Sequence, residues 1–202
     1  MEHALEALSA QLLGQLFVEV EASGRHVHVT KEQAIILFGH DLTPAKPLSQ
    51  PGQFAARERV TVVGPKGRFE NVAVLGPARN AAQVEVSLTD ARTLGVDAPI
   101  RLSGDTANSP GCTLLGPCGQ ISLPQGVIVA KRHIHLPPED AARRGLQDKE
   151  VVKLKLFSKR PLIFDDVVVR INKDFAPDAH IDYDEANACG FTKGDYGMIV
   201  HG

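Results

Sequence analysis

Apolar and polar positions along this 202-residue chain alternate mostly over short stretches, which predicts many short strands separated by turns. Over residues 3–16, leucines instead recur at spacings of three and four, which indicates an amphipathic helix. That helix either packs on its own domain or serves as a docking or targeting segment. Strands are predicted at residues 17–20, 59–63, 71–75, 83–86, 127–130, 151–157, 167–171 and 197–200.

Capping patterns predict four further short helices. Three of them begin at a polar residue followed three positions later by a second polar residue, so that each side chain can bond the other's backbone N–H. These pairs are Thr30 with Gln33, Ser87 with Asp90, and Asp182 with Glu185. The fourth begins at Pro137-Pro138, because proline is tolerated in a first turn. The expected ends are at Gly39, Gly95, Gly145 and Gly190. Residues 40–53 contain three prolines and are predicted to be a loop.

The tetrapeptide Arg-His-x-His occurs twice, at residues 25–28 and 132–135. Side chains alternate across a strand, so the two histidines of each copy face the same way, roughly 7 Å apart. Two imidazoles at that spacing can reach one metal ion. A single His-x-His is as readily a chance surface pair as a metal site. The second copy favours metal binding.

An internal repeat supplies a third candidate ligand to each histidine pair. Residues 26–34 align with 133–141, and residues 85–95 align with 180–190, without gaps. The second alignment places Glu85 in register with His180. The predicted ligand groups are therefore His26, His28 and Glu85, and His133, His135 and His180. Three protein ligands with an open position are typical of catalytic zinc. The alternatives are an exposed strand glutamate and a lone surface histidine.

Three arginines lie near these predicted ligands. Arg25 and Arg132 face away from the first histidine of each pair, and we interpret them as structural ion-pair partners. Arg79 lies in a Gly-Pro turn six residues before Glu85. Its guanidinium could hold a phosphate by two parallel hydrogen bonds. By itself, this position favours the alternative of a solvated arginine.

Composition excludes several classes of function. The formal charge of −2 gives no global field for nucleic acid, and aromatic residues at 5% without tryptophan offer no base-stacking surface. No apolar run has the length of a membrane span, and the N-terminus lacks the pattern of a secretory signal. The three cysteines form no Cys-x-x-Cys motif and are expected to be reduced thiols. We therefore expect a cytoplasmic protein.

Several longer stretches extend these motifs. They include Arg-His-Val-His at 25–28, Gln-Pro-Gly-Gln-Phe-Ala-Ala at 50–56, Leu-Gly-Pro-Ala-Arg at 75–79, Ser-Gly-Asp at 103–105, Ala-Lys-Arg-His-Ile-His at 130–135, and His-Ile-Asp with Asp-Glu-Ala-Asn at 180–187. Together, over nearly the whole chain after residue 17, they resemble the phosphate propanoyltransferase family. These are metal-dependent phosphotransacylases associated with bacterial microcompartments.

The resemblance implies a mixed α/β fold that is mainly β, with two pseudo-repeated β-barrel domains capped by short helices. On this chain, the N-terminal helix would occupy residues 1–16. The first barrel domain would comprise residues 25–130, and the second would comprise residues 17–24 with 131–202.

The resemblance also implies a reaction, which is the reversible transfer of a short acyl group, propanoyl or acetyl, between coenzyme A and phosphate at a site with two zinc ions. The implied partners are acyl-CoA and phosphate, a second copy of the chain in a homodimer, and microcompartment shell or core proteins. The implied setting is propanediol degradation inside a microcompartment. The alternatives are a metal-dependent thioester hydrolase and a non-catalytic microcompartment component.

The family's functional positions fall on named residues of this chain. Its metal ligands fall on the six residues that the repeat proposes. Its phosphate-binding arginine falls on Arg79, which reverses the preference for a solvated side chain. Ser103 matches an active-site serine, and the positions near the coenzyme fall on Ser23, His180 and Asn187.

Overall fold

A computed structural model describes residues 16–200 of the chain. The predicted N-terminal helix lies outside the described residues, apart from its last position. Contacts divide the chain into two compact units. One is Gly24–Lys131, and the other combines the described residues up to Ser23 with those from Arg132 onward.

The described elements follow the predicted order of short strands and helices. The strands are β1 (Phe17–Ser23), β2 (His26–His28), β3 (Pro44–Pro47), β4 (Phe54–Val63), β5 (Arg68–Gly76), β6 (Gln83–Val86), β7 (Ile100–Arg101), β8 (Cys112–Leu115), β9 (Gln120–Leu123), β10 (Val127–Ala130), β11 (His133–Leu136), β12 (Val151–Phe157), β13 (Ile163–Ile171), β14 (Asp178–Asp182) and β15 (Tyr196–Val200). The helices are α1 (Lys31–Phe38), α2 (Leu88–Leu94), α3 (Pro138–Arg144) and α4 (Tyr183–Cys189).

In the unit Gly24–Lys131, the described strands form one nine-stranded sheet. Its order is β7-β10-β6-β2-β5-β4-β8-β9, with β3 paired to β4. The side chains of Val27, Val74 and Val84 are fully buried in its core. The short strand β2 lies between β5 and β6, so both of its histidines are buried inside the sheet rather than exposed at an edge.

In the other unit, six described strands close into a barrel in the order β1-β14-β11-β13-β12-β15. Ile134, Leu154 and Ile181 pack inside it. The second histidine strand, β11, lies between β14 and β13, and all four of its residues are buried. The two histidine strands therefore occupy equivalent central positions in their own sheets. The sheets confirm the predicted mainly β fold with two barrel-like domains.

The helix ends confirm the predictions from capping residues. Thr30, Ser87 and Asp182 each close the predicted capping box, and all four described helices are followed by a glycine in the left-handed conformation. None of the helices among residues 16–200 is long and apolar enough to cross a membrane.

The predicted loop at 40–53 is wrong in part, because Pro44–Pro47 forms strand β3 against β4. All four residues of β3 are exposed, and the strand bonds only to β4. Proline is tolerated at such an edge because a missing N–H there leaves no ladder bond unmade on the open side. The prolines therefore indicated an edge position rather than the absence of a strand.

Candidate metal-binding active site

Strand pairing brings the three predicted ligands of the unit Gly24–Lys131 together. Strand β2 runs antiparallel to β6, with His26 directly opposite Glu85. Residues directly opposite on neighbouring strands place their side chains on the same face. Nε2 of His26 lies 3.5 Å from Oε1 of Glu85, and Nε2 of His28 lies 3.9 Å from the same oxygen. One ligand atom from each of the three lies within 4.8 Å of the others.

The barrel unit repeats this arrangement. Strand β11 runs antiparallel to β14, with His133 directly opposite His180. The ring centroid of His133 lies 4.5 Å from that of His135 and 5.2 Å from that of His180, and the ligand atoms again lie within 4.8 Å of one another. In both units, the third candidate ligand is therefore the cross-strand neighbour of the first histidine.

Both groups have the chemistry and spacing that a divalent metal ion requires. Two ligands about 2.1 Å from zinc at tetrahedral angles lie about 3.4 Å apart, close to the separation of His26 and Glu85. Nδ1 of His26 lies 2.9 Å from the carbonyl oxygen of Gly24, which leaves Nε2 directed towards Glu85. Nδ1 of His28 is buried without a hydrogen-bond partner among the described residues. The nitrogen of His28 that faces Glu85 is Nε2, so Nε2 is the candidate ligand atom of this ring.

In the first group, burial and neighbouring charges shift the pKa values of His28 and Glu85. Burial lowers the pKa of His28 to about 3, with help from the charges of His26 and Arg79. Its imidazole is therefore neutral, which is the form that binds metals. Burial disfavours the Glu85 carboxylate, but the charge and hydrogen bond of His26 outweigh it and hold the pKa of Glu85 well below its ordinary value. The group thus offers a carboxylate oxygen ready for coordination.

The second group is accompanied by carboxylates that the sequence analysis missed. Asp178 is buried directly opposite His135 on β14, and its Oδ1 lies 3.1 Å from Nδ1 of His135 and 3.2 Å from Nε2 of His180. Oε2 of Glu21 lies 3.6 Å from the same His180 nitrogen. Burial lowers the pKa of His180, but the neighbouring carboxylates of Asp178 and Glu21 outweigh it and raise the pKa to about 9. His180 therefore belongs to two possible ligand groups, because Glu21, Asp178 and His180 also lie within ligand distance of one another.

A hydrogen-bonded network connects Arg79 to the first group. Nη1 of Arg79 donates to Oγ of Ser103 at 3.1 Å, and Ser103 donates to Oε1 of Glu85 at 2.8 Å. A guanidinium, a group able to bind anions, is thereby held one hydroxyl group away from a candidate metal ligand. Beside this network, residues 78–83 with Gly104 and Thr106 line a pocket of about 430 Å³.

Gln83 completes this network, and the sequence analysis did not identify it. Its side-chain nitrogen donates to Oε1 of Glu85 at 2.5 Å and to Oγ of Ser103 at 2.9 Å. Its side-chain oxygen accepts from the backbone N–H of Gly104 at 2.7 Å. The sequence could have indicated Gln83, because it lies two residues before Glu85 on a predicted strand, and side chains at that spacing lie on the same face.

Replacing Gln83 with leucine is expected to destabilise the protein by about 1–3 kcal/mol, because a buried carboxylate loses one of its hydrogen-bond donors and a backbone N–H loses its acceptor. Chemical denaturation of the metal-free protein measures this change. The exposed Gln120→Leu change on β9 is the control and should leave the free energy of unfolding nearly unchanged. An equal effect of the two changes would contradict the structural role of the Gln83 amide.

The remaining predicted residues have simpler surroundings. Arg25 and Arg132 form ion pairs with Asp90 and Glu185, which confirms their interpretation. Ser23 ends β1, and its backbone pairs with Asp182 on β14. Asn187 lies exposed on α4, in the same unit as Ser23 and His180.

Comparison with known proteins establishes the family. The model of the phosphate propanoyltransferase family matches residues 19–192. The phosphate propanoyltransferase of Enterococcus faecalis is 56% identical over 90% of this chain and 87% of its own length. That of Leptotrichia buccalis is 58% identical over 89% and 86%, and that of Clostridioides difficile is 50% identical over 99% and 97%. These similarities define an enzyme of the phosphate acyltransferase class. The chain belongs to the phosphate propanoyltransferase family.

Proposed function

We propose that this chain transfers a propanoyl or acetyl group reversibly between coenzyme A and inorganic phosphate, with two zinc ions as cofactors. The observation that carries this proposal is the contact of Arg79 with Ser103, which in turn bonds Glu85. It joins a group suited to phosphate with a group suited to a metal ion. The relatives named phosphate propanoyltransferase support the same reaction class.

The six predicted ligands would hold the two ions. His26, His28 and Glu85 would bind one, and His133, His135 and His180 would bind the other. A bound zinc ion with an open position supplies a Lewis acid that polarises the thioester carbonyl or stabilises the departing thiolate. The two groups differ in their proposed ligands, because only the first has a carboxylate among its three. We therefore expect them to have different roles.

Arg79 and Ser103 would bind and orient the phosphate. A guanidinium can bond two phosphate oxygens at once, and Ser103 holds one of its nitrogens in place. An oriented phosphate oxygen attacks the thioester carbonyl carbon. The new C–O bond forms as the C–S bond breaks, and coenzyme A leaves with the bonding electron pair as its thiolate. The protein's contribution in this scheme is positioning and charge, with no covalent enzyme intermediate.

The coenzyme would contact Ser23, His180 and Asn187, which lie in one unit of the structure. Homodimer formation and residence in a bacterial microcompartment also belong to this proposal, and both rest on the resemblance. Light scattering on the purified chain tests the first. The bounds of the two barrel domains, 25–130 and 17–24 with 131–202, remain predictions.

The test follows thiol release and acyl phosphate formation from acetyl-CoA and propanoyl-CoA, with zinc-loaded protein, in the presence and absence of phosphate. We expect thiol release to require phosphate and to match acyl phosphate formation mole for mole. Thiol release that does not depend on phosphate and yields no acyl phosphate would identify a thioester hydrolase instead. No release from either thioester would overturn the proposal and favour a non-catalytic component.

A further inference from the structure

The arginine before the first histidine pair forms a two-pronged ion pair with the start of a helix. Nε of Arg25 donates to Oδ2 of Asp90 at 3.0 Å, and its Nη2 donates to Oδ1 at 2.6 Å. Asp90 is the third residue of α2, and its Oδ2 also accepts the backbone N–H of Ser87 at 3.5 Å. One carboxylate therefore closes the capping box of the helix and binds the arginine.

The second unit repeats this contact with different residues. Nη1 of Arg132 donates to Oε1 of Glu185 at 2.6 Å. Glu185 is the third residue of α4, and its Oε2 accepts the backbone N–H of Asp182 at 3.0 Å. Each arginine also lies over a phenylalanine ring, with Arg25 4.1 Å from the centroid of Phe69 and Arg132 5.5 Å from that of Phe164. The same device thus occurs twice, with aspartate in one copy and glutamate in the other.

The position of each ion pair relates it to the candidate ligands. The N-cap residue of each helix lies two residues after the third ligand, since Ser87 follows Glu85 and Asp182 follows His180 at that spacing. The arginine directly precedes the first histidine of each pair. Each ion pair therefore connects the segment before the first ligand to the segment after the third.

In each unit, the first ligand lies at the end of the short strand that carries it. Strand β2 has three residues, and His26, which pairs with Glu85, is the first of them. His133, which pairs with His180, is likewise the first residue of β11. The ends of paired segments open more readily than their centres. Opening at this end would separate the first ligand from the third in either unit.

We infer that Arg25 and Arg132 are positioning residues that hold the first and third ligands of each group in register. This inference rests on the proposed metal sites. Each ion pair joins the residue before the first ligand to the helix that follows the third ligand, so it would restrain the two ligand strands without itself supplying a ligand. This role would explain why an arginine precedes the two histidines in both copies of the tetrapeptide.

The two copies differ in strength. Arg25 uses two nitrogens on one carboxylate, whereas Arg132 uses one on Glu185 and directs Nε to the backbone carbonyl of Asp165 at 2.7 Å. Lysine cannot reproduce a two-pronged contact. Arg25→Lys should therefore weaken its group more than Arg132→Lys weakens the other.

The test measures zinc affinity in chains that retain one ligand group. One background carries His133→Ala, His135→Ala and His180→Ala, since His180 also lies within ligand distance of Glu21 and Asp178, and the other carries His26→Ala with His28→Ala. In the first background, Arg25→Gln should weaken zinc binding about tenfold, the lower end of the range for groups that orient ligands, while Arg132→Gln should leave it unchanged. In the second background, the effects should be reversed. Competition with a chromophoric chelator reports each affinity.

Surface arginines provide matched controls. Arg68 pairs with Glu70 on the surface of the first unit, and Arg143 pairs with Asp140 on α3 of the second. Changing either to glutamine should leave both zinc affinities unchanged. A cycle of Arg25→Gln, Asp90→Asn and the double variant adds a second readout. If the arginine acts through Asp90, the double variant loses no more affinity than Arg25→Gln alone.

Unfolding midpoints measured in the presence of a chelator show whether each variant still folds. They therefore distinguish loss of strand register from loss of the fold. If a background does not fold, stepwise competition on the full six-ligand chain measures both affinities instead. Equal weakening of both groups by either arginine change, or no weakening at all, overturns the inference. Absence of zinc binding by the unaltered chain would reject the proposed metal sites themselves, which distinguishes the two failures.

Discussion

Replacing Arg79 with alanine is expected to lower kcat/KM for phosphate-dependent CoA release by about 100-fold or more, while zinc content stays at two per chain. The reason is that the guanidinium would bind the attacking phosphate, and loss of one such charged donor typically costs 10²- to 10³-fold in rate. Its Nη1 donates to Ser103, which is not one of the six proposed ligands, so the metal group should survive. Steady-state kinetics over a range of phosphate concentrations measure the loss.

Arg101→Ala is the matched control for Arg79. Arg101 ends strand β7 two residues before Ser103, and it forms an exposed ion pair with Asp105. Its removal should change the rate little, because exposed ion pairs contribute little. Loss of zinc in the Arg79 variant would contradict a role in phosphate binding and would indicate support of Glu85 instead. Unchanged turnover would exclude Arg79 from the site.

The second large effect is expected from His28→Ala, which should reduce zinc from two ions to one per chain and lower CoA release by at least about 100-fold. His28 is 2% exposed, and its Nε2 lies 3.9 Å from Oε1 of Glu85, within reach of a shared ion. Removing one of three ligands leaves two, which is too few for a stable site. Elemental analysis of the purified variant measures the metal content.

The chain contains a control histidine for this prediction. His40 has a side chain that is 58% exposed, lies 3.8 Å from Glu58, and belongs to neither ligand group. His40→Ala should retain two zinc ions and full turnover. If His28→Ala also retains two, His28 is not a ligand and the first group is misassigned. Unfolding midpoints in chelator show whether each variant folds.

Local patterns predicted the helices and many strands well. The bounds of β6, β10 and β12 agree with the predicted strands, and every described helix ends before the predicted glycine. Capping boxes, left-handed glycines and alternation of side chains depend on residues a few positions apart, so they are readable in a linear chain. The exception at β3 shows the limit, because its strand exists only through pairing with β4.

The repeat predicted more than local patterns could. Aligning the two halves put Glu85 in register with His180, and the structure pairs each with the first histidine of its unit. Repetition conveys tertiary information because two copies of one unit share their strand pairing. Asp178 and Gln83 were missed, although each lies two residues before a predicted ligand. Many strand residues have that spacing, and only the packed sheet shows which side chains meet.

The sequence by itself therefore determined the type and bounds of most elements, the duplicated histidine strands and the resemblance to one enzyme family. The tertiary structure decided that β2 and β11 are central and buried. It also decided that Ser103 and Gln83 donate hydrogen bonds to Glu85. Finally, it showed that Arg25 and Arg132 form ion pairs with the helices after the third ligands. The physical reason is the range of the interactions. Capping and alternation act within a few residues, whereas buried hydrogen bonds and ion pairs join segments that only strand pairing brings together.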